Sequence, residues 1–353
     1  MHTFAQYNVG KFATEEFPFL QSQAKHWARE KPLTGLSILH NIPLTNSTLL
    51  KLYPLVLAGA KVSVTNTKFT YQVVSAEIAA KLDELQIPFY SDHQQLSGTF
   101  DIGLDCCAEL FENPNIQFNK GIVELTQSGG ERLKNADLSY PCINIDDSSL
   151  KGLECIYGTG DGFLRALKAL ITEDLSQRSY YLFGFGKVGK GIAKALTLIS
   201  SDITIIDSSD IKLAQAQGKG FNTISTNDFE TLARELPQAF CLITATGCPD
   251  LLTPIHKKID LSNCYIANMG ADDEIGSYQS PKVLNNGVAI NFSLKTPTQL
   301  KYLDPIFYAH NLAASLLLDA NFDRGYHAFP KALDNLILDR FELEHHTVED
   351  IFL

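Results

Sequence analysis

The chain has 353 residues, 45% of them apolar and 20% charged, enough for a substantial core and for about two domains rather than a disulfide-stapled miniature. Lys and Arg total 29 against 40 Asp and Glu, a net charge of -11, so no basic stripe is available for a phosphate backbone and no nucleic-acid partner is expected. No run reaches the roughly 20 apolar residues of a membrane span, and Met1-His2-Thr3-Phe4 lacks the basic and apolar regions of a secretion signal, so no membrane association and a cytoplasmic location are expected.

Short apolar runs alternate with helix-like segments, the pattern of an α/β chain with parallel sheets. Leu36 to Leu39 reads as a strand, Asn46 to Ala58 as a helix, Lys61 to Val64 as a strand, Gln72 to Leu85 as a helix and Pro88 to Tyr90 as a short strand. Tyr157 to Ile171 carries apolar residues at helical spacing and marks a boundary between domains. A second series of strands follows at Tyr180 to Phe183, Ile203 to Ile206, Thr223 to Ile224, Phe240 to Thr244 and Cys264 to Ala267. After residue 290 the strand pattern fades, and Pro305 to Leu318 and Pro330 to Phe341 read as helices that either cap the second sheet or return to the first domain. The fold class is α/β, with two Rossmann-like domains of doubly wound parallel sheet linked by hinge helices. The seven cysteines, at 106, 107, 142, 155, 241, 248 and 264, form no C-x-x-C and no cluster with histidine, so they read as reduced thiols and no metal is expected.

The most specific signal is Gly184-Phe-Gly186-Lys-Val-Gly189-Lys-Gly191, which follows an apolar strand and opens a helix-like run reaching Ile199. A second strand ends at Asp207, 18 residues after Gly189. In that context Gly184 permits the tight turn, Gly186 lets the backbone at Lys187 and Val188 approach a pyrophosphate, and Gly189 permits close packing of helix on strand. Asp207 would accept hydrogen bonds from the ribose hydroxyls and repel a 2′-phosphate, so the expected cofactor is NAD rather than NADP. Thr244-Ala245-Thr246-Gly247 and Asn268-Met269-Gly270 follow later strands at points where such a sheet presents its carboxyl edge to the same ligand.

These segments, together with Leu39-His40, Gly59-Ala-Lys-Val62, Asn144-Ile-Asp-Asp147, Tyr157-Gly158 and His327-Ala-Phe-Pro-Lys331, resemble the S-adenosylhomocysteine hydrolase family from about Leu39 to Asp334. The resemblance implies that residues 1–160 and 304–353 form a substrate domain and residues 161–303 an NAD domain. It also implies the family's chemistry: bound NAD oxidises a ribose hydroxyl, homocysteine is eliminated, water adds, and NADH reduces the ketone again. On the family's pattern His40, Lys151 and Glu154 would form the acid/base set, with Asp105 and a recruited Cys106 beside them, while Thr126, Gln127 and Ser128 would reach the cofactor.

Much of the family's substrate side is altered. Cys106 stands where a catalytic aspartate belongs, Leu125 replaces a second Glu, Ala271 and Asp304 replace histidines, and Ile42 and Leu44 occupy adenine-reading positions. Losing a general acid or base costs about 10²- to 10⁴-fold in rate, so efficient hydrolysis of adenosylhomocysteine is disfavoured. The end at Ile351-Phe352-Leu353 also lacks the family's cofactor-covering tail, which implies less tightly held NAD. The leading expectation is a divergent enzyme that uses NAD to oxidise a hydroxyl of a nucleoside-like or other small metabolite. The alternatives are a true adenosylhomocysteinase and a non-catalytic NAD-sensing or regulatory protein. A small-molecule substrate and a homodimer are the expected partners.

Overall fold

The run Ile203-Thr-Ile-Ile-Asp207 is buried along its whole length, as a parallel strand covered by helices on both faces must be. Eleven further strands join it in a computed structural model that describes residues 3–68, 74–319 and 322–345. In chain order they are β1 (Ser37–Asn41), β2 (Lys61–Thr65), β3 (Phe89–Tyr90), β4 (Gly98–Asp105), β5 (Ile116–Glu124), β6 (Pro141–Asn144), β7 (Tyr180–Phe183), β8 (Ile203–Asp207), β9 (Asn222–Ser225), β10 (Cys241–Thr244), β11 (Tyr265–Asn268) and β12 (Gly325–Ala328). The described residues divide into two units, one running to Leu153 and resuming at Leu300, the other Glu154–Gln299.

The first unit holds a seven-stranded sheet in the order β12-β6-β5-β4-β1-β2-β3, and the second a five-stranded sheet in the order β11-β10-β7-β8-β9. Every strand pair is parallel. In each sheet the chain winds outward from its first strand in one direction, then returns and winds in the other. The reversal falls between β1 and β4 in the first unit and between β7 and β10 in the second. Such switch points leave a crevice beyond the carboxyl ends of the strands, where ligands of doubly wound sheets bind. This is the α/β, doubly wound class.

Several elements escape the sequence pattern. The helix Pro18–Glu30 begins with proline at its first turn and ends at Lys31, whose φ of 48° leaves the helical region. Strands β4, β5 and β6 lie where no strand is expected, and β12 lies beyond residue 290, paired with β6. The helix expected from Gln72 spans Ala76–Glu84, started by Ser75, whose side chain accepts from the Ile78 N–H; positions 72 and 73 lie outside the described residues. The helix expected from Tyr157 is two elements, a π-helical turn Leu153–Gly158 running into the α-helix Thr159–Leu170.

The helices Leu300–Leu316 and Lys331–His345 belong to the first unit, a choice that periodicity leaves open. Asp304 accepts the Phe19 and Leu20 N–H groups at 2.7 and 3.0 Å, capping the start of Pro18–Glu30 with a carboxylate, as the helix dipole favours. Asp334 accepts the Ser149 and Leu150 N–H groups in the same manner. In the second unit, alternate strand residues feed two cores: Tyr180, Leu182, Ile205 and Ile243 pack with Phe163, Leu167 and Ile192, while Phe183, Ile206, Leu242 and Ile266 pack with Leu232 and Leu252. Among the described residues no helix is long and apolar enough to cross a membrane.

Candidate functional site

At the second unit's switch point, β7 is followed by Gly184 with a φ of 96°, a conformation that side-chain-bearing residues rarely adopt. A Cβ on Gly184 would also collide with the Ala245 carbonyl oxygen, so the turn after β7 lies against the loop after β10. A Cβ on Gly189 would collide with the Gly184 carbonyl oxygen. Gly189 thus lets the helix Lys187–Leu196 sit tight on the turn. Gly186 differs: a Cβ there meets nothing within 4 Å, so its bareness serves nothing inside the fold and leaves the backbone open to a ligand. The helix starts at Lys187 and directs the N–H groups of Lys187, Val188 and Gly189 out of its amino end, where an anion is favoured.

Asp207 closes β8 beside this turn with 6% of its surface exposed. Its Oδ2 accepts the Phe185 N–H at 2.9 Å and its Oδ1 the Ser209 N–H at 2.9 Å. Lys212 Nζ lies 3.7 Å from Oδ2. Each carboxylate oxygen can accept about two hydrogen bonds, so Asp207 fastens the turn and retains acceptor capacity for a pair of hydroxyls. The open backbone at Gly186, the helix amino end and this acid fit a dinucleotide.

The loops after β10 and β11 are organised by residues that the motifs alone do not identify. Glu274 accepts the Thr246 and Gly247 N–H groups at 2.9 and 2.7 Å and the Thr246 hydroxyl at 2.8 Å. Asn268 Oδ1 accepts the Gly270 N–H and the Thr244 hydroxyl, and its Nδ2 donates to the Asp272 and Gly287 carbonyls. Thr244, Ala245, Thr246, Gly247, Met269 and Gly270 therefore line two loops tied from within. Glu274 sits in the run Asp272-Asp273-Glu274, which in sequence reads as a solvated acidic turn.

In the first unit the carboxyl edge carries a row of polar residues. Asn41 pairs with Thr65, Asp105 with Glu124, and Glu124 with Asn144, while Asn41 Nδ2 donates to Asp105 Oδ1 at 3.1 Å. Asp105 also accepts the Cys106, Leu110 and Phe111 N–H groups. Glu124 accepts those of Cys107, Ala108, Leu125 and Thr126 and the Thr126 hydroxyl. Burial pushes both carboxyls up, and for Asp105 the neighbouring Glu124 adds to the effect. The hydrogen-bonding capacity of Asp105 is thus taken up by the loop it was expected to serve catalytically. Cys106 is buried, and burial followed by the neighbouring Cys107 raises its thiol well above the usual value, the opposite of an activated nucleophile.

His40 is fully buried, and its Nε2 lies 3.0 Å from Nζ of Lys51, a lysine with 0% exposure. Burial first, then Lys51 and His310, hold His40 well below the ordinary imidazole value, and burial lowers Lys51 and His310 likewise. His310 Nε2 meets the Val123 carbonyl at 3.1 Å. Nothing in the sequence marks Lys51 and His310 as partners of His40, because a lysine in Asn46–Leu57 reads as an outward residue. In fact every residue from Ser47 to Leu55 is buried. Lys151 is buried in the first unit, and Glu154 is half-buried at the start of the second. Thr126 caps the helix Gln127–Lys134 by accepting the Gly129 N–H, Gln127 is exposed, and Ser128 donates to the Cys107 sulfur at 3.6 Å.

Residues 155–290 match the family described as "S-adenosyl-L-homocysteine hydrolase, NAD binding domain". The second unit therefore carries an NAD-binding domain of that type, and NAD is its cofactor. Among solved structures the chain is similar to a dipicolinate synthase from Bacillus halodurans, with a TM-score of 0.47 and 13% identity over 82% of this chain and 100% of that one. It is similar also to a dipicolinate synthase from Bacillus subtilis, at 0.46 and 12% over 81% and 99%. A transhydrogenase from Sinorhizobium meliloti matches at 0.40 and 11% over 81% and 94%.

Proposed function

We propose that the protein is an NAD-dependent oxidoreductase that oxidises a hydroxyl of a nucleoside-like or other small metabolite, the second unit holding the cofactor and the first the substrate. The observation that carries this reading is the turn Gly184–Gly189 at a switch point, with Gly186 open to a ligand and Asp207 at the end of the neighbouring strand. NAD, when bound, supplies the hydride acceptor. The residues proposed to hold it are Gly184, Gly186, Lys187, Val188, Gly189 and Asp207, with the loops at Thr244–Gly247 and Met269–Gly270 beside them. Lys151 is the proposed base: a buried lysine close enough to His310 to lower that imidazole is suited to take the proton of a substrate hydroxyl. Glu154 is its proposed carboxylate partner in catalysis.

The test is the near-ultraviolet absorbance of NADH while adenosine is titrated into protein whose NAD occupancy has been confirmed by mass spectrometry. A growing band is expected, and Lys151→Met should abolish it while retaining NAD. The same preparation, given S-adenosylhomocysteine and assayed for homocysteine, tests whether elimination follows oxidation. A second reading, a non-catalytic NAD sensor, is favoured by the burial of His40, Asp105 and Cys106. It predicts bound NAD and no band with any hydroxylated metabolite.

A further inference from the structure

We infer that Glu274 is a positioning residue for the cofactor, one that shapes the loop after β10 only when its carboxyl is ionised, so that NAD binding is coupled to the protonation of a buried acid. The inference rests on the proposed placement of the pyrophosphate at the glycine turn.

Glu274 has 0% exposure, and an acid is rarely buried so completely without partners. Among the described residues those partners are not cations. They are the Thr246 N–H, the Gly247 N–H and the Thr246 hydroxyl, all from one loop, and the Thr246 N–H lies within 3.1 Å of both carboxylate oxygens. Gly270 is a glycine for the same reason: a Cβ there would run into the Glu274 side chain. The contact then passes along the loop. Thr246 follows Ala245, whose carbonyl oxygen is pressed so closely on Gly184 that no side chain fits between them. A displacement of the Thr246–Gly247 backbone therefore reaches the glycine turn after one residue.

The two N–H groups need an acceptor, and the Thr246 hydroxyl, whose oxygen already accepts the Cys248 N–H at 3.0 Å, gives its hydrogen to the same carboxylate. An ionised carboxylate offers only acceptor sites, whereas a protonated one turns one oxygen into a donor facing N–H and O–H groups. Burial and the nearby Asp272 push the Glu274 carboxyl above the usual range, against the pull of the Gly247 and Thr246 hydrogen bonds. The other acids of the segment add no cation: Asp273 accepts the Ile275 and Gly276 N–H groups, and its carbonyl takes the N–H of Asp250. Protonation thus becomes available as the pH falls through the range above ordinary carboxyl titration.

The experiment is calorimetric titration of NAD into the full chain from about pH 8 to about pH 5, with circular dichroism reporting that the protein stays folded. The wild-type dissociation constant should rise about tenfold or more toward low pH, the order expected for one charged hydrogen bond. Glu274→Gln should bind weakly at every pH with this rise removed. Thr246→Ala, which takes away one donor that favours the ionised form, should move the rise to higher pH, and it decides the matter if Glu274→Gln does not fold. A flat wild-type profile, a Glu274→Gln variant with wild-type affinity and profile, or an unmoved rise in Thr246→Ala overturns the inference alone. If Gly186→Val binds NAD as the wild type does, the reading of the glycine turn falls, and this inference falls with it.

Discussion

The two switch points share a topology and differ in what answers their backbone donors. After β7 the turn takes its positive φ at Gly184, and a single acid, Asp207, fastens it through the Phe185 N–H. After β4 the corresponding turn takes positive φ at Cys107 and Ala108, 62° and 55°, with side chains in place. Two buried acids, Asp105 and Glu124, then accept the N–H groups of Cys106, Cys107, Ala108, Leu110 and Phe111. One crevice therefore presents helix-end donors and bare backbone to a ligand, and the other commits its donors to its own carboxylates. Topology fixes where a ligand can sit; whether the turn can bind an anion depends on which groups have already met its N–H donors.

The sharpest way to break this comparison is to fill the open turn without disturbing the fold. A Cβ at Gly186 meets no atom within 4 Å, so Gly186→Val should melt within a degree or two of the wild type, as surface changes do. Its branched side chain would occupy the approach to the turn, and NAD affinity should fall by about 100-fold or more. Calorimetric titration beside a melting curve separates the two effects. Lost stability with retained binding would mean that Gly186 serves the chain rather than the ligand.

In the first unit the counterpart is Lys51, a lysine enclosed with His40 and His310. Burial depresses its amine well below the ordinary lysine value, so between that folded value and about pH 10.4 the unfolded chain binds a proton that the folded chain refuses. Unfolding free energy then rises with pH across this window, by up to about 1.4 kcal/mol per pH unit for one proton. Below about pH 6.5 the two depressed histidines oppose folding in the same sense. Lys51→Met keeps the volume and removes the amine. It should cost about 1–3 kcal/mol by leaving His40 Nε2 unanswered, yet lose much of the rise from pH 7 to 9. Urea melts of both proteins across that range check it, the difference between the slopes cancelling the tyrosines and cysteines that also titrate there. Parallel slopes would mean that the amine stays charged inside the first unit.

What the sequence discloses is set by range. The glycine turn and Asp207 are legible because their constraints are local: a strand, a turn whose glycines serve positive φ, close packing and ligand approach, a helix, and a second strand of fixed reach. Asp304, which caps Phe19 from 285 positions away, is illegible because its partner is fixed only by packing. The same holds for Glu274, which resembles any acid of an exposed turn until two loops close over it. β4 escapes because its first half, Gly98-Thr-Phe-Asp101, carries a single apolar side chain and is exposed or half-buried, and β12 because Gly325-Tyr-His-Ala328 is a four-residue edge with no buried position. Lys51 misleads for the converse reason, a polar letter in a helix that is buried on every side.

The smallest expected effect concerns the strain in the closed turn. A side-chain-bearing residue at positive φ costs about 1–2 kcal/mol, and glycine would relieve that while adding about 0.4–1 kcal/mol of unfolded-state entropy. For Cys107→Gly the balance should be near zero, since the change also gives up a buried side chain that meets the Cys106 sulfur and the Ser128 hydroxyl. For Ala108→Gly it should also be near zero, because the methyl is packed with Leu133, Leu138 and Cys142 and burying one such group is worth about 0.8 kcal/mol. Urea melts of the two variants side by side measure both balances. A gain at either position would mean that the loop after β4 is held in a strained shape by Glu124 and Asp105 rather than by its own residues. A loss at both positions would mean that side-chain packing, not the two acids, shapes the closed crevice.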